Sequence, residues 1–194
     1  MNPYSIALVG ESCSGKSSII KSFLTKTPTL IPNTGTEAGA TTITLKNNKQ
    51  VQIYFYDTIT TYYGYQLSMK ICKAIVIVYN TKYLSHYKMV IDKWYPLATQ
   101  TNKDSILALV AFDRESEEHK EVDNNEARKF AEEHNMIFKI VSCETYKNID
   151  ELFQEVVEKL YQKYHITRNE IVYINDKTKR GKEYNKEHCY LKFK

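Results

Sequence analysis

The sequence predicts an α/β fold in which a mostly parallel sheet lies between two layers of helices. Three observations predict it: apolar runs with the length of buried strands, helical patterns that alternate with these runs, and a glycine-rich loop after the first run. Strands that alternate with helices form parallel sheets, because the chain returns to the start of the next strand through a helix. With 194 residues, of which 42% are apolar and 26% charged, the chain has a globular composition.

Short apolar runs predict six strands, at residues 4–9, 42–45, 51–56, 74–79, 106–112 and 137–141. Apolar residues at helical spacing predict two of the helices, at residues 16–25 and 86–97. Segments rich in turn-forming residues predict long loops at residues 27–40 and 58–65.

Two further helices are predicted from their first residues. Asp123 is the predicted N-cap of one, with Glu126 completing a capping box, and Asp150 is the predicted N-cap of the last helix. The strand and helix pattern breaks beyond the last helix. We therefore predict a domain at residues 1–165 and a basic extension at residues 166–194.

Composition excludes several classes of protein. No apolar run is long enough to cross a bilayer. The four cysteines are scattered without a C-x-x-C pair, which argues against a zinc site or a disulfide framework and favours a reducing, cytoplasmic setting. Residues 177–194 contain seven basic and two acidic residues, which is a net charge of +5. Because the whole chain has a net charge of +4, the rest of it has a net charge of −1. A nearly neutral domain gives no support for nucleic-acid binding.

A glycine-rich loop follows the first predicted strand and matches the phosphate-binding pattern G-x-x-x-x-G-K-[ST]. Its glycines allow backbone N–H groups to turn onto phosphate oxygens, and the following helix adds its positive end. Lys16 is the candidate catalytic cation at the outer phosphates, and the Ser17 hydroxyl is a candidate magnesium ligand. The loop predicts a site for a nucleoside triphosphate with Mg²⁺, formed by Gly10, Glu11, Ser12, Cys13, Ser14, Gly15, Lys16, Ser17 and Ser18.

Asp57 is the second predicted element of the phosphate site. It directly follows a predicted strand, at the carboxyl edge where ligands bind in sheets of this kind. A carboxylate at that edge holds magnesium, usually through water, while the ion contacts the phosphates. Asp57 is therefore a predicted magnesium ligand beside Ser17.

These motifs resemble those of the small GTPases of the Ras superfamily, most closely the Rab branch. Residues 9–18 are similar to the Rab phosphate-binding loop, Asp57-Thr58 matches the start of the D-T-A-G motif, and Ser142 lies where the S-A-K motif is expected. The resemblance implies a Ras-like P-loop NTPase fold with six strands and five helices over residues 4–164. It also implies GTP or GDP as ligand, Mg²⁺ as cofactor, and two switch loops that tighten around the terminal phosphate.

Switch II departs from the family pattern, because D-T-I-T-T stands where the resemblance implies D-T-A-G-Q. Thr60 replaces the glycine whose amide meets the terminal phosphate. Thr61 takes the catalytic position of the glutamine that orients the attacking water. The threonine side chain is too short to place its hydroxyl where the side-chain amide of the glutamine would be. We therefore expect slow hydrolysis without help.

The base-recognition motif N-K-x-D departs from the family as well. Phe112 takes the place of the asparagine, Asp113 of the lysine and Glu115 of the aspartate. Glu115 is the predicted acceptor for the guanine N–H groups, and Asp113 is the alternative if the register slides by two residues. Phe112 or Arg114 can stack on the base in place of the lysine stem. We expect weaker affinity and a poorer guanine preference.

Two other predicted contacts rest on the resemblance alone. Ser142, Cys143 and Glu144 occupy the S-A-K motif, where the backbone N–H of Cys143 would meet the guanine O6. In switch I, Thr34 and Thr36 both fit the threonine that meets magnesium and the terminal phosphate, and Thr36 is preferred. The predicted magnesium ligands are then Ser17, Thr36 and Asp57.

Three functions remain open at this point. The first is an atypical Rab-like GTPase that hydrolyses GTP slowly and acts as a molecular switch in vesicle trafficking or signalling. The second is a nucleotide-binding scaffold without turnover, which the threonines of switch II allow. The third is a P-loop ATPase or nucleotide kinase, which the altered base motif permits but which the whole-chain pattern opposes.

The resemblance also implies partners and a location. Effectors, an exchange factor and an activating protein would act through the switch loops of a monomeric, cytoplasmic protein at the periphery of endomembranes. Cys189 is followed by five residues, so it is not a C-a-a-X prenylation box. The basic end of the chain is either a solvated or locally folded tail, which is favoured, or a weak contact for anionic lipid.

Overall fold

The computed structural model describes residues 3–30, 38–57, 62–116 and 119–179. Its sheet has six strands: β1 Tyr4–Val9, β2 Ala38–Thr44, β3 Gln50–Asp57, β4 Ala74–Asn80, β5 Ile106–Phe112 and β6 Ile137–Val141. Their order across the sheet is β2-β3-β1-β4-β5-β6. Only β2 is antiparallel to its neighbour within this described sheet, whereas the other pairs are parallel. The predicted mostly parallel six-stranded sheet is confirmed.

The described helices are α1 Lys16–Thr25, α2 Tyr62–Ile71, α3 Leu84–Met89, α4 Tyr95–Thr101, α5 Asn124–Glu133 and α6 Ile149–Lys179. A π-helical turn, Val90–Trp94, directly joins α3 to α4, so residues 84–101 form one continuous helical segment. Helical segments of this kind are rare and often lie at functional sites. Within the described residues, none of the helices combines the length and the apolar character that a membrane span requires.

Apolar side chains form a core on each face of the sheet. On one face, Ala7 and Val9 of β1 lie in a buried cluster that includes residues of α2, α4 and α5. On the other face, Phe23 of α1, Phe55 of β3 and Phe153 of α6 pack ring against ring, with centroids 4.4 to 5.7 Å apart. Helices therefore cover both faces, and the predicted three-layer α/β architecture is confirmed.

Local sequence signals place most elements within a few residues. Asp123 is the N-cap of α5, as predicted, and its carboxylate accepts the Asn125 backbone N–H at 2.8 Å. The predicted loops are too long, because β2 begins at Ala38 and α2 begins at Tyr62. In β2, the hydrogen bonds to β3 extend the strand over Gly39 and Ala40, which have weak strand propensity of their own.

The last helix differs from the prediction at both ends. It begins at Ile149, so Asp150 lies in its first turn and not at the N-cap. The Asp150 carboxylate instead accepts hydrogen bonds from the Tyr146 hydroxyl at 2.8 Å and from Lys26 at 2.5 Å. Lys26 is 124 residues away, so no local pattern reveals that contact. The helix continues to Lys179, because residues 149–179 contain no glycine or proline to end it.

The chain divides into two compact units between Leu160 and Tyr161. The predicted boundary between residues 1–165 and 166–194 stays a prediction. All residues of the candidate site described below belong to the first unit.

Candidate functional site

The site is built at one edge of the sheet. Since β1, β3, β4, β5 and β6 run parallel, their carboxyl ends share this edge, which is where ligands bind in folds of this kind. The phosphate-binding loop, defined here as residues 10–17, leaves the end of β1 and opens α1. Asp57 ends β3, Phe112 ends β5 and Val141 ends β6.

Two glycines give the phosphate-binding loop its path. Gly10 has φ 147° and Gly15, the N-cap of α1, has φ 101°, a region that L-residues with side chains rarely adopt. A Cβ atom on Gly10 would lie 2.1 Å from the Val78 carbonyl oxygen. A Cβ atom on Gly15 would lie 2.4 Å from the Phe112 ring. Both positions therefore require glycine for backbone angle and for space.

Lys16 is folded back into the loop that precedes it. Its side chain is buried, with the residue only 8% exposed, and Nζ donates to the carbonyls of Gly10 at 3.0 Å and Glu11 at 2.7 Å and to Ser14 Oγ at 3.3 Å. Burial lowers the pKa of Lys16, and the carboxylates of Asp57 and Glu11 oppose that shift. Three oxygens of the loop thus accept hydrogen bonds from the buried Lys16 ammonium group in place of water.

Ser17 and Asp57 meet across 40 residues of sequence, where the Ser17 hydroxyl donates a hydrogen bond to Asp57 Oδ2. Asp57 is nearly buried at 9% exposure. A hydroxyl and a carboxylate in contact at the opening of α1 are hard oxygen ligands, so the donor set fits Mg²⁺. The structure brings these two predicted magnesium ligands together, and their role stays a prediction.

The predicted base-reading residues after β5 contact other parts of this chain. Phe112 is 4% exposed and packs against Gly15, so it is not positioned to stack on a base. Asp113 forms an ion pair with Lys120 at 2.7 Å. Glu115 Oε1 accepts a hydrogen bond from Thr145 Oγ1 at 3.2 Å and lies 3.8 Å from Lys147 Nζ.

The loop after β6 is tied to the loop after β5. Glu144 accepts hydrogen bonds from the Ser116 backbone N–H at 2.9 Å, from Ser116 Oγ at 2.6 Å and from Arg114 Nε at 3.3 Å. The Ser116 hydroxyl is the main group that holds the pKa of the Glu144 carboxyl below its usual value, followed by the Ser116 N–H. Ser142 Oγ accepts the backbone N–H groups of Glu144 and Thr145. The loop after β6 is therefore held by hydrogen bonds to the loop after β5 and by the Ser142 side chain within the loop itself.

Cys143 joins this loop to the end of α1. Its carbonyl oxygen accepts the Thr29 backbone N–H at 3.0 Å, and the Ser22 hydroxyl donates to the Thr29 carbonyl at 3.1 Å. Burial raises the pKa of the Cys143 thiol to about 11, so the thiol stays protonated at neutral pH. Cys143 therefore has a structural contact here besides its predicted backbone contact to a base.

A sequence model of the Ras family matches residues 5–162. The chain belongs to the Ras family. It is 26% identical over 162 residues to the Ras-related protein Rab-18-B of Danio rerio, covering 81% of this chain and 78% of that protein. It is also 26% identical over 168 residues to the Ras-related protein Rab-2B of Dictyostelium discoideum, covering 80% of this chain and 79% of that protein. The resemblance to small GTPases of the Rab branch is confirmed.

The predicted site residues of this Ras-family chain fall into three groups. The structure brings residues 10–17 together with Asp57, and it places Ser142, Cys143 and Glu144 beside the loop that carries Asp113 and Glu115. Ser12 and Cys13 are exposed, whereas Ser14 and Ser18 are buried. Four predicted residues lie outside the described part of the chain: Thr34, Thr36, Thr60 and Thr61.

Sequence reasoning missed two residues at this Ras-family site, Lys93 and Trp94, which both contact the predicted site residue Glu11. Glu11 Oε1 accepts a hydrogen bond from Trp94 Nε1 at 3.0 Å and forms an ion pair with Lys93 at 3.3 Å. Both partners belong to the π-helical turn. Tyr65 of α2 packs edge-on against Trp94, with ring centroids 5.1 Å apart. In the sequence, Trp94 indicates only the apolar face of a helix, and no local signal predicts its link to Glu11.

Proposed function

We propose that this chain is an atypical Rab-like small GTPase that binds GTP and GDP with Mg²⁺ through the phosphate-binding loop. The observation that carries the proposal is Lys16, whose buried ammonium group is held by three oxygens of that loop. A buried cation beside a helix N-terminus attracts the negative charges of a phosphate chain, and a nearby carboxylate attracts the metal ion bound to those phosphates. The Ras-family match supports the same ligand class.

Binding would use Lys16, the first turn of α1, Ser17 and Asp57. Lys16 would exchange its contacts with the Gly10 and Glu11 carbonyls for the outer phosphate oxygens, and the N-terminal N–H groups of α1 would meet the other phosphates. Ser17 and Asp57 would hold Mg²⁺, which neutralises phosphate charge when bound. Removing the ammonium group from a low-dielectric site would then leave the phosphates without their main protein cation.

We also propose that the chain hydrolyses GTP slowly and acts as a molecular switch. Thr61 is too short to orient an attacking water as a glutamine does, so turnover is slow without an activating protein. The switch loops would bind effectors and regulators of a cytoplasmic protein at the periphery of endomembranes, in vesicle trafficking or signalling. The second candidate is a scaffold that binds nucleotide without turnover, and the threonines at positions 60 and 61 favour it.

The test begins with the nucleotide that co-purifies with the full chain, followed by its affinity and single-turnover hydrolysis with Mg²⁺. Lys16→Ala is expected to weaken GTP binding at least about tenfold, since a charged hydrogen bond is worth about 1.5–3 kcal/mol. Lys129→Ala, at an exposed position on α5, is the matched control. Absence of GTP and GDP binding would contradict the proposal, and binding without phosphate release would favour the scaffold.

A further inference from the structure

On the side of the site predicted to meet the base, side chains of this protein contact one another. Two loops form it: the first loop follows β5 and carries Asp113 to Ser116, and the second follows β6 and carries Ser142 to Lys147. Phe112 against Gly15 places the first loop beside the phosphate-binding loop. The Thr29–Cys143 hydrogen bond places the second loop beside the end of α1. The two loops that carry the predicted base-recognition residues therefore lie next to the phosphate-binding loop and the end of α1.

We propose that this site binds nucleoside triphosphates through their phosphates and prefers guanine to the other bases by no more than about tenfold, because its base-facing carboxylates are paired within the chain. The proposal rests on the proposed nucleotide binding and concerns the ligand class of that same site. The proposal depends on three carboxylates, those of Asp113, Glu115 and Glu144.

Glu115 is the carboxylate that the resemblance predicts to accept the guanine N–H donors. Its Oε1 already accepts from Thr145 and lies within ion-pair distance of Lys147, at 3.2 and 3.8 Å. A guanine must displace a hydroxyl and a cation to use that oxygen. The Lys147 side chain is 62% exposed and that of Glu115 37% exposed, so this ion pair adds little. The exchange mainly replaces the Thr145 hydroxyl by the N–H groups of the base as hydrogen-bond donors to the same carboxylate, so its net gain is small.

Glu144 is held more tightly than Glu115. Ser116 donates to both of its oxygens, through Oγ to Oε1 and through the backbone N–H to Oε2, and Arg114 adds a third donor. These contacts also keep Arg114, the remaining candidate for stacking on a base, next to a carboxylate. The loop after β5 and the loop after β6 are therefore joined directly by the Glu144 side chain.

Asp113 stands where the family's lysine would cover the base with its stem. Its carboxylate pairs with Lys120 at 2.7 Å and accepts from the Thr81 hydroxyl at 3.4 Å. A short carboxylate offers no apolar stem for stacking, and Phe112 is buried beneath Gly15. Neither hydrogen bonding nor stacking at this side distinguishes guanine strongly from adenine or a pyrimidine.

The test uses the full chain, freed of nucleotide, and measures displacement of a fluorescent GDP derivative by GTP, ATP, CTP and UTP with Mg²⁺. We expect the dissociation constants of GTP and ATP to differ by about tenfold or less, that is by about 1.4 kcal/mol or less. A larger preference for GTP would overturn the proposal and leave the proposed GTPase function standing. Failure of every nucleotide to bind would overturn both, so the two failures are distinguishable.

A second variant tests whether the pairing of Glu115 within the chain causes the weak preference for guanine. Thr145→Val with Lys147→Met removes both partners of Glu115, so its carboxylate becomes available to the guanine N–H donors. We expect GTP affinity to rise about tenfold while ATP affinity stays unchanged. Lys139→Met, which breaks the 2.8 Å ion pair with Glu155 elsewhere, is the matched control. Equal effects on GTP and ATP would overturn the assignment of selectivity to the pairing of Glu115.

Discussion

Trp94 donates a hydrogen bond from Nε1 to the Glu11 carboxylate at 3.0 Å, and this contact joins the π-helical turn to the phosphate-binding loop. The Glu11 carbonyl in turn accepts from Lys16. Tyr65 of α2 packs against Trp94 on the other side. A chain of direct contacts thus runs from Lys16, the predicted phosphate-binding cation, to Tyr65 of α2.

The first prediction uses Trp94 as a reporter, because it is the single tryptophan of the chain. Nucleotide binding that moves Lys16 and Glu11 is expected to change Trp94 emission. Glu11→Met removes the acceptor, so we expect it to reduce that change by at least about half and to lower the free energy of unfolding by about 1.5–3 kcal/mol. Fluorescence titration with GDP and Mg²⁺ and urea denaturation measure the two effects.

Glu155→Met is the matched control for this prediction, since it removes another glutamate from an ion pair, with Lys139, far along the sequence. It should leave the fluorescence response as in the wild type. A response of Glu11→Met equal to that of the wild type would show that Trp94 does not report on the loop through Glu11.

The second prediction concerns Gly15→Ala. The new Cβ would lie 2.4 Å from the Phe112 ring at a backbone φ of 101°. Strain and overlap together are expected to lower the free energy of unfolding by about 2–4 kcal/mol. Gly64→Ala, within helix α2, is the control and should be neutral or stabilising. Urea denaturation checks both variants, and an equal effect of the two would contradict the tight packing of Phe112 on Gly15.

Much of the fold is predictable because it depends on local patterns. The apolar runs of β1, β4, β5 and β6 and the capping residue Asp123 act within a few residues of themselves, so the sequence alone reveals them. The phosphate-binding loop is equally local. The Ser17–Asp57 pair spans 40 residues, and it was predictable only through the motif that each residue belongs to.

The rest of the site depends on contacts between distant side chains that have no pattern. Trp94 and Glu11 are 83 residues apart, and Ser116 and Glu144 are 28 apart. The sequence shows acids at the predicted base-reading positions, but the pairing of Glu144 with Arg114 and of Glu115 with Lys147 appears only when β5 and β6 lie side by side. Sequence reasoning therefore predicted candidate residues for contact with a base, but not the contacts that these residues make within the chain.

The third prediction is a pH dependence of stability. The pKa of the Glu144 carboxyl is held below its usual value, chiefly by the Ser116 hydroxyl, so the folded state binds fewer protons here than the unfolded state. This group stabilises the fold above its unfolded pKa, and the contribution is lost as pH falls through the lowered pKa. The difference in unfolding free energy between the wild type and Glu144→Gln should therefore shrink from about pH 7 to about pH 3.

Chemical denaturation at several pH values measures this difference. Ser116→Ala is the companion variant, because it removes the largest cause of the pKa shift, and its stability should depend less steeply on pH than that of the wild type. A wild-type advantage over Glu144→Gln that stays constant across the whole range would contradict the assignment.

The last prediction concerns Ser17 and Asp57, whose contact fits a shared magnesium ion. We expect chelation of Mg²⁺ to weaken GDP binding to the wild type about tenfold or more, and Ser17→Ala or Asp57→Ala each to reduce that magnesium effect. The double variant should cost little more than either single variant, because both side chains act through one ion and their effects are not additive. Thr99→Ala, which removes a hydroxyl bonded within α4, controls for the loss of a hydroxyl elsewhere. Calorimetric titration with and without Mg²⁺ measures all five proteins, and strictly additive losses in the double variant would show that the two residues do not share an ion.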